Sequence, residues 1–174
     1  MTAKRFTELG EVNQIAFVPE DFDAALRFWV ETMGAGPFFV LRNSIAGAAD
    51  ETNPALDIAL GHWGEIQIEL IRQLNDAPSP YKTWRDAGGS GVHHICIAVT
   101  DLAEAKQLVA EKGMEVLLHG QANGAEWIYV DTGGGPGTIV EIIQHSPASQ
   151  GLMDMVRRGA VNWDGTDPVR EIGL

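Results

Sequence analysis

Two stretches of β-type alternation stand out along the chain, and each opens the same succession of elements. Val12-Asn13-Gln14-Ile15-Ala16-Phe17-Val18 reads as a strand, and Asp21 follows as a helix N-cap. Phe22, Leu26, Trp29, Val30 and Met33 then fall at helical spacing, until Gly34 and Gly36-Pro37 stop the helix. Residues 38–41 form a short strand and 43–54 a small, polar loop. Strands at 55–61 and 64–73 flank Gly61-His62-Trp63-Gly64, a hairpin signature. The second copy starts at Val92-His93-His94-Ile95-Cys96-Ile97-Ala98-Val99. Its helix, 101–112, is capped by Asp101 with Glu104 at capping-box spacing, and its apolar stripe is Leu102, Ala105, Leu108 and Val109. Strands at 114–119, 125–131 and 137–144 follow, the last two joined by a glycine-rich turn at 133–137.

The pattern predicts an α+β fold of two tandem β-α-β-β-β modules forming a curved mixed sheet. Residues 1–145 make one domain, with module one at about 11–73 and module two at about 92–145. Residues 74–91, broken by Pro78, Pro80 and Gly88-Gly89, read as the linker that carries Tyr81 and Trp84. Residues 146–174 read as a C-terminal tail, in which Leu152, Met153 and Val156 suggest a short helix.

Alternation also assigns faces. Ile66, Ile68 and Leu70 share one side of their strand, and Glu65, Gln67 and Glu69 the other. Leu56, Ile58 and Leu60 oppose Asp57, and Ile128 and Val130 oppose Trp127 and Tyr129. Asp57, Glu69, Trp127 and Tyr129 are therefore expected on one concave surface. His93 is expected to point away from His94, and His62 and His145 are expected at the surface. Each copy places one polar residue early and one glutamate late: Gln14 and Glu69, then His94 and Glu141.

Composition narrows the chemistry. A net charge of −12 argues against nucleic acid or an anionic membrane surface as partner. The single cysteine, Cys96, excludes an internal disulfide and a thiolate zinc site. No apolar run reaches spanning length. Lys4-Arg5 lead into a polar stretch rather than an apolar one, so a cytoplasmic protein without a secretion signal is expected. Two carboxylates, an amide oxygen and an imidazole are borderline-to-hard donors, suited to one divalent ion such as Zn, Ni, Co, Mn, Fe or Mg.

The doubled module, with its polar residue before Ile in each opening strand and Ile68-Glu69-Leu70 or Val140-Glu141-Ile142 closing it, resembles the vicinal oxygen chelate superfamily. That group includes glyoxalase I, methylmalonyl-CoA epimerase, extradiol dioxygenases and bleomycin-resistance proteins. The resemblance implies a divalent metal in the cleft, held by Gln14, Glu69, His94 and Glu141, a set similar to glyoxalase I. It departs from the epimerase pattern, which has His where this chain has Gln14 and Gln where it has Glu69. A single suitable histidine counts against iron-dependent dioxygenase chemistry, and a full ligand set counts against a metal-free binding or resistance protein. The implied activity is that of a metal-dependent isomerase, epimerase or lyase. It would remove a proton α to a carbonyl of a small substrate, a thioester or an α-hydroxy carbonyl. Glu141 is the first candidate base by this resemblance and Asp57 the second. A homodimer is left open.

Overall fold

The computed structural model describes residues 4–45, 52–134 and 137–173. Both modules form as the periodicity predicts. The first runs β1 (Val12–Val18), α1 (Phe22–Arg27), β2 (Phe38–Ile45), β3 (Ala55–Trp63) and β4 (Ile66–Gln73). A short helix, α2 (Pro80–Asp86), leads to the second: β5 (Gly91–Ala98), α3 (Leu102–Glu111), β6 (Val116–Ala122), β7 (Ala125–Val130) and β8 (Ile139–Gln144). The chain continues as α4 (Pro147–Ala160) and β9 (Val169–Ile172). Part of the loop expected at 43–54 is instead the end of β2, and residues 46–51 and 135–136 lie outside the described residues.

One mixed nine-stranded sheet results, in the order β6-β7-β8-β5-β1-β4-β3-β2-β9. The modules join edge to edge through antiparallel β1 and β5. Asp21 caps α1 by accepting from the Ala24 N–H at 2.9 Å, and Asp101 caps α3 by accepting from Ala103 and Glu104. Phe22 and Leu26 of α1 bury against Phe38, Val40, Ile68 and Leu70. Leu102, Ala105 and Val109 of α3 bury against Ile128, Val130 and Ile142. These helices take one side of the sheet and leave the other to form a concave face.

Two elements that sequence periodicity treated as linker and tail complete that face. Ser79 caps α2 by accepting from the Lys82 N–H at 2.9 Å, and Pro80 occupies the first turn, where its missing N–H costs nothing. The prolines read as breakers thus start a helix, which inserts Tyr81 against Ala16, Val18, Leu56, Ile71 and Tyr129. Helix α4 lays Leu152, Met153 and Val156 over Phe39, Leu41 and Leu60 of β2 and β3. Its close approach relies on Gly159, where a Cβ would stand 2.8 Å from the Phe39 ring. Strand β9 extends the sheet in parallel to β2, so residues 146–173 are built into the fold. No helix among the described residues is long and apolar enough to cross a membrane.

Candidate metal centre

The site sits at the seam between modules. Gln14 is in register with Gln67 on β4 and Cys96 on β5, and Cys96 with Glu141 on β8. The next rank contains Glu69, Ala16 and His94. Residues in register share a face. Gln14, Glu69, His94 and Glu141 therefore all stand on the concave side, two from each module. His94 is fully buried, and its Nε2 lies 3.2 Å from Glu141 Oε2 and 3.6 Å from Glu69 Oε2. Gln14 donates its amide N–H to Gln67 Oε1 at 2.8 Å, and Gln67 in turn reaches Met153 Sδ on α4 at 3.5 Å.

His93 departs from the alternation. Ala16 pairs with His94 but Phe17 pairs with Val92, so His93 is an extra residue on β5. A bulge of this kind breaks the strict in-out order. His93 is fully buried beside His94, with the two Nδ1 atoms 2.9 Å apart. Tyr81, Trp84 and Tyr129 surround its ring at centroid distances of 5.1, 6.0 and 6.0 Å. Burial, with His94 adding to it, lowers its pKa to about 4, so the ring is neutral at physiological pH. A neutral His93 can accept at Nδ1 a proton carried on His94 Nδ1. That tautomer turns the lone pair of His94 Nε2 towards the two carboxylates.

These residues fit a dication. His94 Nε2 is buried and makes no hydrogen bond, although two carboxylate oxygens are close. Burial, opposed by His94 and assisted by Glu141, pushes the Glu69 carboxyl up to about 7. Two carboxylates face an imidazole nitrogen that has no hydrogen bond, with no Lys or Arg among the described residues paired to either, and a divalent ion supplies the counter-charge. Engagement of the Gln14 amide nitrogen leaves its oxygen as the donor. Cys96 is not a thiolate candidate, because burial and the neighbouring Glu141 hold its thiol protonated. Among the described residues no three His, Cys, Asp or Glu side chains form a ready-made cluster; the titratable members meet in pairs through His94.

The chain also matches known proteins. Residues 13–149 match the family model described as the Glyoxalase/Bleomycin resistance protein/Dioxygenase superfamily. The chain belongs to that superfamily. An ethylmalonyl-CoA/methylmalonyl-CoA epimerase of Cereibacter sphaeroides is 26% identical over 141 residues, covering 78% of this chain and 98% of the relative. A 2-epi-5-epi-valiolone epimerase of an Actinomyces species is 29% identical over 147 residues, covering 76% and 79%. Among solved structures, a methylmalonyl-CoA epimerase in complex with methylmalonyl-CoA and NH4+ superposes with a TM-score of 0.58 at 18% identity, covering 80% of this chain and 96% of that one. The family segment ends within the first turn of α4, so most of that helix and β9 lie beyond it.

Within this superfamily fold, Asp57 is not where alternation suggested. It is in register with Arg72, whereas Glu69 is in register with Leu60. Asp57 and Glu69 therefore occupy opposite faces of the sheet. Asp57 is buried between Arg42 and Arg72, accepts from the Asn43 N–H at 3.0 Å, and shares Arg72 with Asp23 of α1. Burial alone would raise its pKa, but the Asn43 N–H and both guanidiniums outweigh that and hold it below the ordinary carboxylate value. Its contribution to stability is present above the unfolded-state pKa and is lost as pH falls through the depressed folded value. Replacing Asp57 with Ala is expected to cost about 2 kcal/mol, discounted because both arginines are about one-third exposed. Urea melts at pH 7 and pH 3 check this, the difference between variant and wild type shrinking at the lower pH.

His62 and His145 were expected at the surface. Both instead line a cavity of about 660 Å³ that includes Gln14, Glu69 and Glu141. His62 is in register with Gln67, which fixes it on the concave side, and it is buried beneath α4. His145 lies beyond the end of β8, with Ser149 Oγ 3.1 Å from its Nδ1. Burial lowers both imidazole pKa values, keeping the rings neutral. Trp127 lines the same cavity, as alternation predicts, and lies flat over Gly120, where any Cβ would overlap its ring.

Proposed function

We propose that this protein is a metal-dependent epimerase-type enzyme that moves a proton at a carbon α to a carbonyl. The observation that carries the reading is the approach of Glu69 and Glu141 to a buried His94 Nε2 that has no hydrogen bond. The relatives of known activity are epimerases, which supports the same class of reaction here. Gln14, Glu69, His94 and Glu141 would hold one divalent ion. When bound, that ion supplies a Lewis acid for the negative charge that develops on the carbonyl oxygen.

Inversion of a carbon centre needs one group to take the proton and another to return it. Glu141 on β8 and Glu69 on β4 flank the β5–β1 seam, one from each module. A substrate carbon held between them can lose its proton to Glu141 and regain one from Glu69. Gln14, fixed by Gln67, orients the substrate side of the site, and the buried Tyr81–Tyr129 hydroxyl pair, 2.7 Å apart, closes the floor against water.

The test is deuterium incorporation at the α carbon in heavy water, followed by mass spectrometry, for acyloins and for methylmalonyl-CoA. Metal-loaded protein is expected to exchange the proton of at least one of them, and removal of the ion by a chelator to stop it. Exchange that survives complete metal removal contradicts the metal-dependent reading. No exchange with any substrate leaves a binding protein on the same fold.

A further inference from the structure

Helix α4, most of which lies beyond the matched family segment, builds one wall of the cavity, and the chemistry of that wall bears on what enters. Leu152 and Met153 face the cavity together with Leu41, Ile58 and Leu60 of β2 and β3. Trp127 and Ile143 form the opposing wall. Glu69 and Glu141 line the cavity between them, with the fully buried His94 against both carboxylates. A substrate therefore meets carboxylates at its reacting end, with the Leu152–Met153 face and Trp127–Ile143 beside its body and Ser149, Gln150 and Asp154 of α4 at the edge of that apolar face.

The cations that border the cavity and its neighbouring recess are already paired. All twelve Lys and Arg residues fall among the described residues. Of these, Arg157 borders the cavity, and it is paired with Glu65. Arg42 borders the neighbouring recess and is held by Asp57 at 3.0 Å and Glu171 at 3.0 Å. The remaining charges at the cavity are acidic, with Asp154 on α4 joining Glu65. A polyphosphorylated carrier such as coenzyme A brings several negative charges and needs cations to receive them. Here it would meet paired arginines and carboxylates.

Resting on the epimerase-type reading above, we infer that the substrate is an uncharged α-hydroxy ketone whose apolar body packs against the Leu152–Met153 face of α4, not an acyl-CoA thioester. Helix α4 thereby acts as a specificity element added beyond the matched family segment. The 660 Å³ cavity accommodates a small molecule of this kind.

The experiment measures exchange efficiency, kcat/KM, on metal-loaded full-length protein with acetoin, propioin, butyroin and methylmalonyl-CoA. Each methylene that reaches the wall is expected to raise efficiency about fourfold, from the transfer free energy of a buried CH2. The acyloin series is expected to be insensitive to added salt. In Leu152→Asp, the butyroin-to-acetoin ratio is expected to fall towards one, with the fold verified by circular dichroism. Methylmalonyl-CoA exchanging faster than butyroin would overturn the substrate class while leaving the proton-transfer reading intact. A flat acyloin series, or an unchanged ratio in Leu152→Asp, would overturn the role of α4. Absence of exchange with all four would overturn both readings.

Discussion

Glu141→Gln is expected to lower α-proton exchange about a thousandfold while leaving the fold and much of the metal binding in place. Glutamine keeps the shape and an oxygen donor but has no useful basicity, so it separates a proton acceptor from a mere ligand. A positioned general base contributes roughly 10²–10⁴ in rate. Glu141 is buried in register with Tyr129 and Cys96, and among the described residues its carboxylate is ion-paired with His94 alone. The variant should therefore melt within a few degrees of wild type. Deuterium incorporation and bound metal are measured on the same sample. Exchange near the wild-type rate, with metal retained, would move the base elsewhere. Asp57 serves as the contrast: its replacement should alter stability and leave exchange per folded molecule unchanged, because it faces the opposite side of the sheet.

His93→Phe should weaken divalent metal binding by about 10–100-fold, the usual effect of removing a partner that orients a ligating histidine. Phenylalanine fits the box of Tyr81, Trp84 and Tyr129 but cannot accept from His94 Nδ1. The His94 proton is then free to move to Nε2, where it blocks the lone pair. His93→Asn places an oxygen near the lost Nδ1 and should recover part of the affinity. A merely structural role for His93 would make the two variants differ in melting temperature and not in metal affinity. Isothermal titration of the metal-free proteins separates the outcomes, and wild-type affinity in His93→Phe would remove His93 from the site.

Much of the architecture is legible in the residue pattern because the patterns are locally enforced. The stripe of Leu102, Ala105, Leu108 and Val109 forms a helix face as periodicity requires, and all four are buried. The alternation of Ile66, Ile68 and Leu70 against Gln67 and Glu69 holds across the whole of β4. Alternation leaves the direction of Gln14 and His94 open; the pairing of β1 with β4 and β5, and of β5 with β8, puts them on the same side of the sheet as Glu69 and Glu141. The failures have physical causes as well. The bulge at His93 breaks alternation through backbone pairing with β1, which no single-strand pattern reveals. Asp57 follows the alternation of its own strand correctly, but the relative phase of β3 and β4 depends on their pairing register, which places Leu60 opposite Glu69. Helix α2 hides behind Pro78 and Pro80, although Ser79-Pro80 was a readable helix start. Strand β9 has only four residues and is held by backbone pairing to β2, by Ile172 packing and by Arg170 over the Phe39 ring at 5.6 Å. His62 and His145 line the cavity only because α4 folds back over the sheet, a tertiary event without a local signal.

In the proposed site, two carboxylates and one imidazole from the two modules hold a divalent ion with Gln14. Its most direct test is elemental analysis of purified protein reconstituted with Zn, Ni, Co, Mn or Fe, beside a Glu69→Ala/Glu141→Ala double variant. About one ion per chain is expected in the wild type, retained through desalting, and none in the folded double variant. No retained ion in the wild type with any of the five metals, or equal retention in the double variant, would contradict it.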